Sequence, residues 1–364
     1  MLSRAGAAIR TQAAVFGRTG APAEVVGVRT AEMPTDAAAL GADGVAVRML
    51  AAPINPSDLN QIEGTYPVKA RFTAGQAVGG NEGVGQVLSV GRSVTDLRPG
   101  DWVVPQRAGE LGTWATHVLA RRSQLAVIPA AWRGGLVEPM HVATLRVNLS
   151  TAYRLLRDFG APAEGSWVVQ NAANSSVGRA VVQVARAMGL RTLNVVRDLR
   201  GQPDRLPRLK AELRALGADL VVAESELLPA LRGLGGPAAL ALNCVGGRAA
   251  GLLARAVAPG GWLVTYGGMA RQPLALPTGP LVFGDVRACG FWMNRWYEAQ
   301  GDRRERDAMW QWLLRLAADG GLRLPPMELV AWRDGLDERR ALDVVRAAVG
   351  WQEGAKRAFV FGGA

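Results

Sequence analysis

An α/β protein in two parts, one β-rich and one of alternating strands and helices, is the fold class this sequence predicts. Three observations carry the prediction. Short β-rich runs broken by Gly and Pro fill residues 12 to 140. From about residue 141 strand and helix patterns alternate, the signature of a parallel sheet. The chain has 364 residues, 49% hydrophobic and 20% charged, enough for two substantial cores.

The β-rich runs are "TQAAVFG", "GVAVRMLAAPINP", "GVGQVLSVG", "GDWVVPQ" and "TWATHVLA". Their spacing predicts an antiparallel, barrel-like unit. The alternating part reads "GSWVVQN", "RAVVQVARAMG", "TLNVVRD", "LKAELRALG", "DLVVAE", "AALALNCVGG", "AAGLLARAVAPGG" and "WLVTYGG". The tail, about 294 to 364, returns to two amphipathic helices and a last short strand, "KRAFVF". These patterns divide the chain into a β-rich unit, 1–141 with 294–364, and an inserted α/β unit, 142–293.

The first βα unit, "VVQNAANSSVGRAVVQVARAMGLRTLNVVRD", is the most informative stretch. Trp167 to Val169 read as a strand, Gly178 opens an apolar-periodic helix, Gly189 ends it, and Thr192 to Val196 form the next strand. A dinucleotide loop here usually carries G-x-G-x-x-G, so that backbone N–H groups approach a pyrophosphate at a helix N-terminus. Only Gly178 is present, but small residues substitute where φ is negative, and Asn174, Ser175 and Ser176 add donors beside Val177. By itself the stretch reads equally as an ordinary βα turn. The end of the next strand favours the cofactor. Where an NAD site places an acid, this chain has Arg197, then Asp198 and Arg200. A guanidinium suits a 2′-phosphate, so NADPH is the expected cofactor. "TYGG", Thr265 to Gly268, closes a later apolar run on the same crevice side.

Composition narrows the remaining classes. Cys244 and Cys289 are the only cysteines, too few for a disulfide framework, and point to a reducing compartment. The net charge is +11; of 42 basic residues, three are lysines (Lys69, Lys210, Lys356), leaving 39 arginines. They are scattered without a run of five, so no nucleic-acid face is expected. No apolar run reaches the roughly 18 residues of a membrane span. The opening "MLSRAGAAIR" carries Arg4 and Arg10, and no acid precedes Glu24, which suits an organelle transit peptide or its remnant, with an ordinary terminus as the alternative.

"INPSDLNQIEGTYPVKARF" and "VGGNEGVGQVLSVGRSVTDLRPGDWVVP" resemble the medium-chain dehydrogenase/reductase superfamily. Asn81, in "Gly80-Asn81-Glu82-Gly83", stands where the zinc members carry a histidine ligand, and the first 150 residues hold no cysteine. His117 and His141 lack partners for the roughly three protein ligands a catalytic zinc needs, so no metal is expected. "VNLSTAYRLL", "VVQNAANSSVG", "LALNCVGG", "TYGGMARQP" and "GFWMNRW" sharpen the resemblance to the mitochondrial trans-2-enoyl-thioester reductases, across residues 12 to 364.

That resemblance implies a GroES-like β-rich catalytic domain plus a Rossmann-type cofactor domain. It implies NADPH-dependent reduction of 2-enoyl thioesters, on acyl carrier protein or coenzyme A, in mitochondrial fatty acid synthesis. A homodimer and the mitochondrial matrix are the corresponding expectations, with the cytoplasm as the alternative. Tyr66 in "GTYP" would be the proton donor. Asn148 would face the nicotinamide, and Asn174, Ser175, Ser176, Val177 and Gly178 would hold the pyrophosphate. Arg197 and Asp198 would flank the ribose phosphate. Tyr266, Gly267, Gly268, Met269, Phe291, Trp292, Met293 and Lys356 would complete the cofactor cleft. Leu199 departs from the basic residue common after "RD", and Leu149-Ser150 from the common "PC".

The chemistry is compatible with these residues. Hydride adds to C3 of the polarised enoyl thioester, negative charge develops on the thioester oxygen and C2, and a neutral tyrosine can protonate C2. Phe291, Trp292 and Trp296 read either as an acyl channel or as core packing. The competing functions are an NADPH quinone reductase, which would not depend on Tyr66, and a catalytically silent dinucleotide-binding protein.

Overall fold

The structure, a computed structural model, describes residues 8–133, 135–199, 201–202, 204–299, 303–350 and 356–362. It divides into two compact units, Met1–Arg146 with Pro326–Ala364, and Val147–Pro325.

The first unit contains β1 (Ala8–Phe16), β2 (Val26–Pro34), β3 (Gly44–Ile54), β4 (Ala77–Val78), β5 (Val84–Val90), β6 (Trp102–Pro105), β7 (His117–Arg121) and β8 (Leu125–Ile128). Residues 1 to 7 of the basic N-terminal segment lie outside the described residues, whereas Ile9 and Arg10 pair with Met33 and Glu32 across β1 and β2. β1 joins β2 and β4 in a three-stranded sheet. β3 is the hub of the larger sheet, pairing antiparallel with β5 and β7, because its long apolar run is buried on both faces. Val45, Val47 and Met49 pack on Val87, Val103 and Leu125. Trp114 meets Phe359 edge-on at 5.7 Å, and Trp332 lies 5.4 Å from the same ring. Such aromatic pairs each add about 0.5–1.5 kcal/mol beyond the area they bury.

The second unit is a six-stranded parallel sheet of β9 (Trp167–Gln170), β10 (Arg191–Val196), β11 (Leu220–Ala223), β12 (Ala238–Asn243), β13 (Val257–Thr265) and β14 (Arg287–Gly290). The spatial order is β11-β10-β9-β12-β13-β14. Counted within the unit this is 3-2-1-4-5-6, the Rossmann order, and the chain reverses direction across the sheet between β9 and β12. In such sheets ligands bind outside the carboxyl ends of the strands at that reversal.

The chain returns to the first unit through β15 (Met327–Trp332) and β16 (Lys356–Phe361), which run parallel, with β16 antiparallel to β3. The change of unit falls at 325/326 rather than the expected 293/294. The helix Arg304–Ala318 belongs to the second unit because it packs on the helix Ser150–Arg157: Arg154 meets Glu305 at 2.5 Å, and Trp310 Nε1 donates to Ser150 Oγ at 3.2 Å. β15 is a strand that the sequence reading missed.

Candidate functional site

A candidate cofactor half-site is built at the carboxyl ends of β9, β10, β12, β13 and β14. After β9 the chain turns through Asn171–Asn174 into the helix Ser176–Ala187, which starts two residues before the expected Gly178. Ser175 is its N-cap: extended backbone (φ −69°, ψ 166°) and a hydroxyl that accepts from Gly178 N at 3.0 Å. The cap satisfies the third N–H of the helix and leaves those of Ser176 and Val177 without intrahelical partners. With the positive end of the helix dipole, they form an anion cradle.

The lost glycines are replaced differently from the sequence expectation. Ala172 adopts φ +49°, a left-handed conformation, so not every small residue of the loop sits at negative φ. Gly178 is needed for close approach: a Cβ there would lie 2.5 Å from Ala172 O and 2.7 Å from Ala173 Cα. Gly267 likewise has no room, since its Cβ would meet Cys244 Sγ at 2.7 Å.

Beneath the loop runs a buried set of side-chain amides. Gln170 Nε2 donates to Gly178 O at 2.9 Å and to Asn194 Oδ1 at 2.7 Å, tying the helix start to β10. Asn171 Nδ2 donates to Asn243 Oδ1 at 2.8 Å across the strand reversal, and Asn171 Oδ1 accepts from Cys244 N at 2.7 Å. Asn243 Oδ1 also accepts from Val245 N and Gly246 N, and Asn243 Nδ2 donates to Thr265 Oγ1. The loops after β9, β12 and β13 are therefore held to one another by fully buried amides, which are costly unless paired. Sequence reasoning passed over all four amides. The available signal was an Asn or Gln inside or ending each otherwise apolar strand run.

Arg197 is exposed at the end of β10. Asp198 is already engaged, accepting from Ser225 N at 3.1 Å and Ser225 Oγ at 2.8 Å. Leu199 turns the chain at φ +48°, and Arg200 lies outside the described residues. After β13, Tyr266 N donates to Asn243 O and Met269 N to Cys244 O. The Tyr266 hydroxyl is enclosed beside the Cys244 thiol and the Ser175 hydroxyl. Burial first, then neighbouring Cys244, pushes its pKa well above the phenolic range. Burial pushes the Cys244 thiol up to about 11, so it is protonated at neutral pH and serves as packing. Gly268 and Met269 are exposed. Phe291 N donates to Thr265 O, and its ring stands edge-on to Phe159 at 5.8 Å. Trp292 is half-buried and Met293, opening the next helix, is buried. Asn148 is buried in one wide π-type turn, Leu145–Leu149, a local geometry frequent at functional sites. Trp296 carries the Arg154 guanidinium over its ring at 3.9 Å, so that face is covered by a cation-π contact.

Tyr66 and Lys356 belong to the first unit. The helix Pro56–Glu63 ends at Gly64, whose φ of +80° is the left-handed cap that glycine permits. Thr65 N and Tyr66 N both donate to Asn60 O, which fixes the start of the loop and leaves Tyr66 half-buried. Lys356 Nζ donates to Asn55 Oδ1, Asn55 Nδ2 donates to Glu82 Oε2 at 2.8 Å, and Asp58 accepts from Asn55 N, Asn81 N and Asn81 Nδ2. Burial lowers the Lys356 pKa, and the Glu82 and Asp58 carboxylates oppose that shift. Asn81, at the position of the histidine ligand, spends its amide on Asp58 and Gln61. Among the described residues no group of three His, Cys, Asp or Glu side chains could hold a metal ion.

The sequence and the fold match known proteins. The family model "Alcohol dehydrogenase GroES-like domain" covers residues 41–137, and "Zinc-binding dehydrogenase" covers 176–315. The mitochondrial enoyl-[acyl-carrier-protein] reductase of Mus musculus is 47% identical over 298 residues, 79% of this chain and 74% of that protein. That of Xenopus tropicalis is 42% identical over 320 residues, 86% of each. The mitochondrial 2-enoyl thioester reductase Etr1p/Etr2p heterodimer from Candida tropicalis superposes with a TM-score of 0.86 at 29% identity, covering 97% of this chain and 100% of that chain. The Etr1p/NADP/crotonyl-CoA complex gives the same values.

Proposed function

The chain belongs to the mitochondrial enoyl-[acyl-carrier-protein] reductase family, and on that premise we propose how its residues divide the work. It is an NADPH-dependent mitochondrial reductase of 2-enoyl thioesters. The observation that carries the assignment of the cofactor half-site is the Ser175-capped helix. Its free Ser176 and Val177 N–H groups, set against Gly178, fit a pyrophosphate. When bound there, NADPH supplies the hydride that adds to C3 of the substrate.

The remaining steps fall to this chain's own side chains. Ser176 and Val177 hold the pyrophosphate through backbone N–H groups, and Arg197 meets the 2′-phosphate. Asp198 acts indirectly, since its carboxylate fixes Ser225 and the turn after β10. Tyr266 to Met269, Phe291 to Met293, Asn148 and Lys356 surround the rest of the cofactor. Tyr66 gives its phenolic proton to C2 as charge builds on the thioester, and is reprotonated from solvent. The substrate is carried on coenzyme A or on acyl carrier protein, whose acidic surface suits the net charge of +11. The active form is a homodimer paired along β14. In support, β14 is the last strand of its sheet among the described residues, and Phe283, four residues before it, is 90% exposed.

NADPH oxidation measured with crotonyl-CoA and longer 2-enoyl-CoA thioesters, beside a quinone panel, tests the reaction. Turnover of the thioesters is expected; quinone turnover alone would make the chain a quinone reductase. Cofactor choice is tested at Arg197. A charge-assisted contact is worth about 1.5–3 kcal/mol, roughly ten- to a hundredfold in affinity. Arg197→Ala should raise the KM for NADPH by that factor and leave NADH unchanged. Equal losses for both cofactors would remove Arg197 from the phosphate.

A further inference from the structure

We infer that Gln61, oriented by Asn81 and Asp58, is a positioning residue for the loop that carries Tyr66; the inference rests on the reading of Tyr66 as proton donor. The loop after the helix Pro56–Glu63 is fastened at its start by Asn60 O, which accepts from Thr65 N and Tyr66 N. Beyond Tyr66 it is fastened by Gln61, whose Nε2 donates to Val68 O at 3.2 Å. Tyr66 thus lies between two anchors supplied by adjacent helix residues. The Lys69 ammonium closes the turn from outside by donating to Gly64 O at 2.9 Å.

The direction of the Gln61 amide is dictated from deeper in the fold. A backbone N–H only donates, so the Asp58 oxygen that takes Asn81 N is an acceptor. Asp58 Oδ1 takes both Asn81 N, at 3.1 Å, and Asn81 Nδ2, at 2.7 Å, so the Asn81 amide must turn its nitrogen inward. The same Nδ2 donates to Gln61 Oε1 at 3.2 Å. Gln61 Oε1 is therefore committed to Asn81, and Gln61 Nε2 is left facing the Val68 carbonyl. Asp58 in turn is pinned by Asn55 N at 2.7 Å, and Asn55 by Glu82. Asp58, Gln61, Asn81 and Glu82 are all buried. Helix packing could be met by apolar side chains at lower cost. A polar chain that ends on a loop carbonyl two residues past Tyr66 is instead suited to fixing that loop.

Two substitutions test this on the intact enzyme. Gln61→Glu keeps the acceptor toward Asn81 and removes the donor to Val68; Gln61→Met keeps the volume and removes both bonds. Each should lower kcat with crotonyl-CoA by about ten- to a hundredfold, the scale of a misplaced catalytic group. The KM for NADPH should stay at the wild-type value, and amide hydrogen exchange across residues 65–70 should quicken. In a double-mutant cycle with Tyr66→Phe, either change should cost nothing further, because the group it positions is already gone. Full turnover in a folded Gln61 variant would overturn the inference. So would losses that multiply with that of Tyr66→Phe. Unchanged turnover in Tyr66→Phe alone would remove the proton-donor reading itself, a separate outcome that takes this inference with it. Should Gln61→Met fail to fold, Gln61→Glu carries the comparison.

Discussion

Tyr66→Phe is expected to lower turnover of 2-enoyl thioesters by about 10²–10⁴-fold, the usual contribution of a positioned general acid. At about 1.36 kcal/mol per factor of ten, that is roughly 3–5 kcal/mol of barrier. The substitution keeps the ring of a half-buried side chain, so the melting temperature should hardly change. It also leaves the Asn60 carbonyl anchor intact, because that bond uses the Tyr66 backbone N–H. NADPH affinity should stay near wild type, since the Ser175-capped helix and the loops after β12 and β13 belong to the other unit. Steady-state kinetics with crotonyl-CoA and a fluorescence titration with NADPH separate the outcomes. A fall confined to kcat identifies a proton transferred in the transition state; a rise confined to the thioester KM identifies a hydroxyl that only orients substrate. Unchanged kcat and KM would leave Tyr66 as packing, with ordered water as the donor.

The parts of this molecule that were legible in the sequence are those with a local pattern. The βαβ alternation from residue 141 gave the parallel sheet, because a strand buried on both faces reads as an apolar run. The end of β10 just before Arg197 was legible because the apolar run Thr192 to Val196 stops there. β15 was not, since only Trp332 of its six residues is buried and no alternation survives at an exposed edge. The amides were not legible because their partners are remote in sequence. Asn171 meets Asn243 across 72 positions, and Gln170 meets Asn194 across 24. Nothing at residue 170 or 171 announces a partner; only the closed sheet supplies one. The left-handed Ala172 was hidden for a related reason. Such a conformation costs an alanine roughly 1–2 kcal/mol, and the fixed bonds around it, not its own preference, maintain it.

Gly178→Ala should be the most damaging single methyl group in the cofactor half-site. The added Cβ would stand 2.5 Å from Ala172 O, 2.7 Å from Ala173 Cα and 2.8 Å from Ala173 C. All three are backbone atoms, so no side chain can swing aside. Either the loop or the first turn of the helix Ser176–Ala187 must retreat. The loop resists through Asn171, held by Asn243 and Cys244 N, and the helix resists through Gln170, which grips Gly178 O. Overpacking of this kind costs about 1–3 kcal/mol of stability. The larger loss is expected in binding, because on the proposed reading the Ser176 and Val177 N–H groups move off the pyrophosphate. Two charge-assisted bonds at about 1.5–3 kcal/mol each predict NADPH binding weaker by roughly 10²–10⁴-fold. The pyrophosphate is common to both nicotinamide cofactors, so Gly178→Ala should weaken NADH in the same proportion, where Arg197→Ala should spare it. Titrating both variants with both cofactors therefore separates a cradle for the pyrophosphate from a reader of the 2′-phosphate. A folded Gly178→Ala protein that binds NADPH as wild type would show that the N-terminus of the helix Ser176–Ala187 does not hold the pyrophosphate.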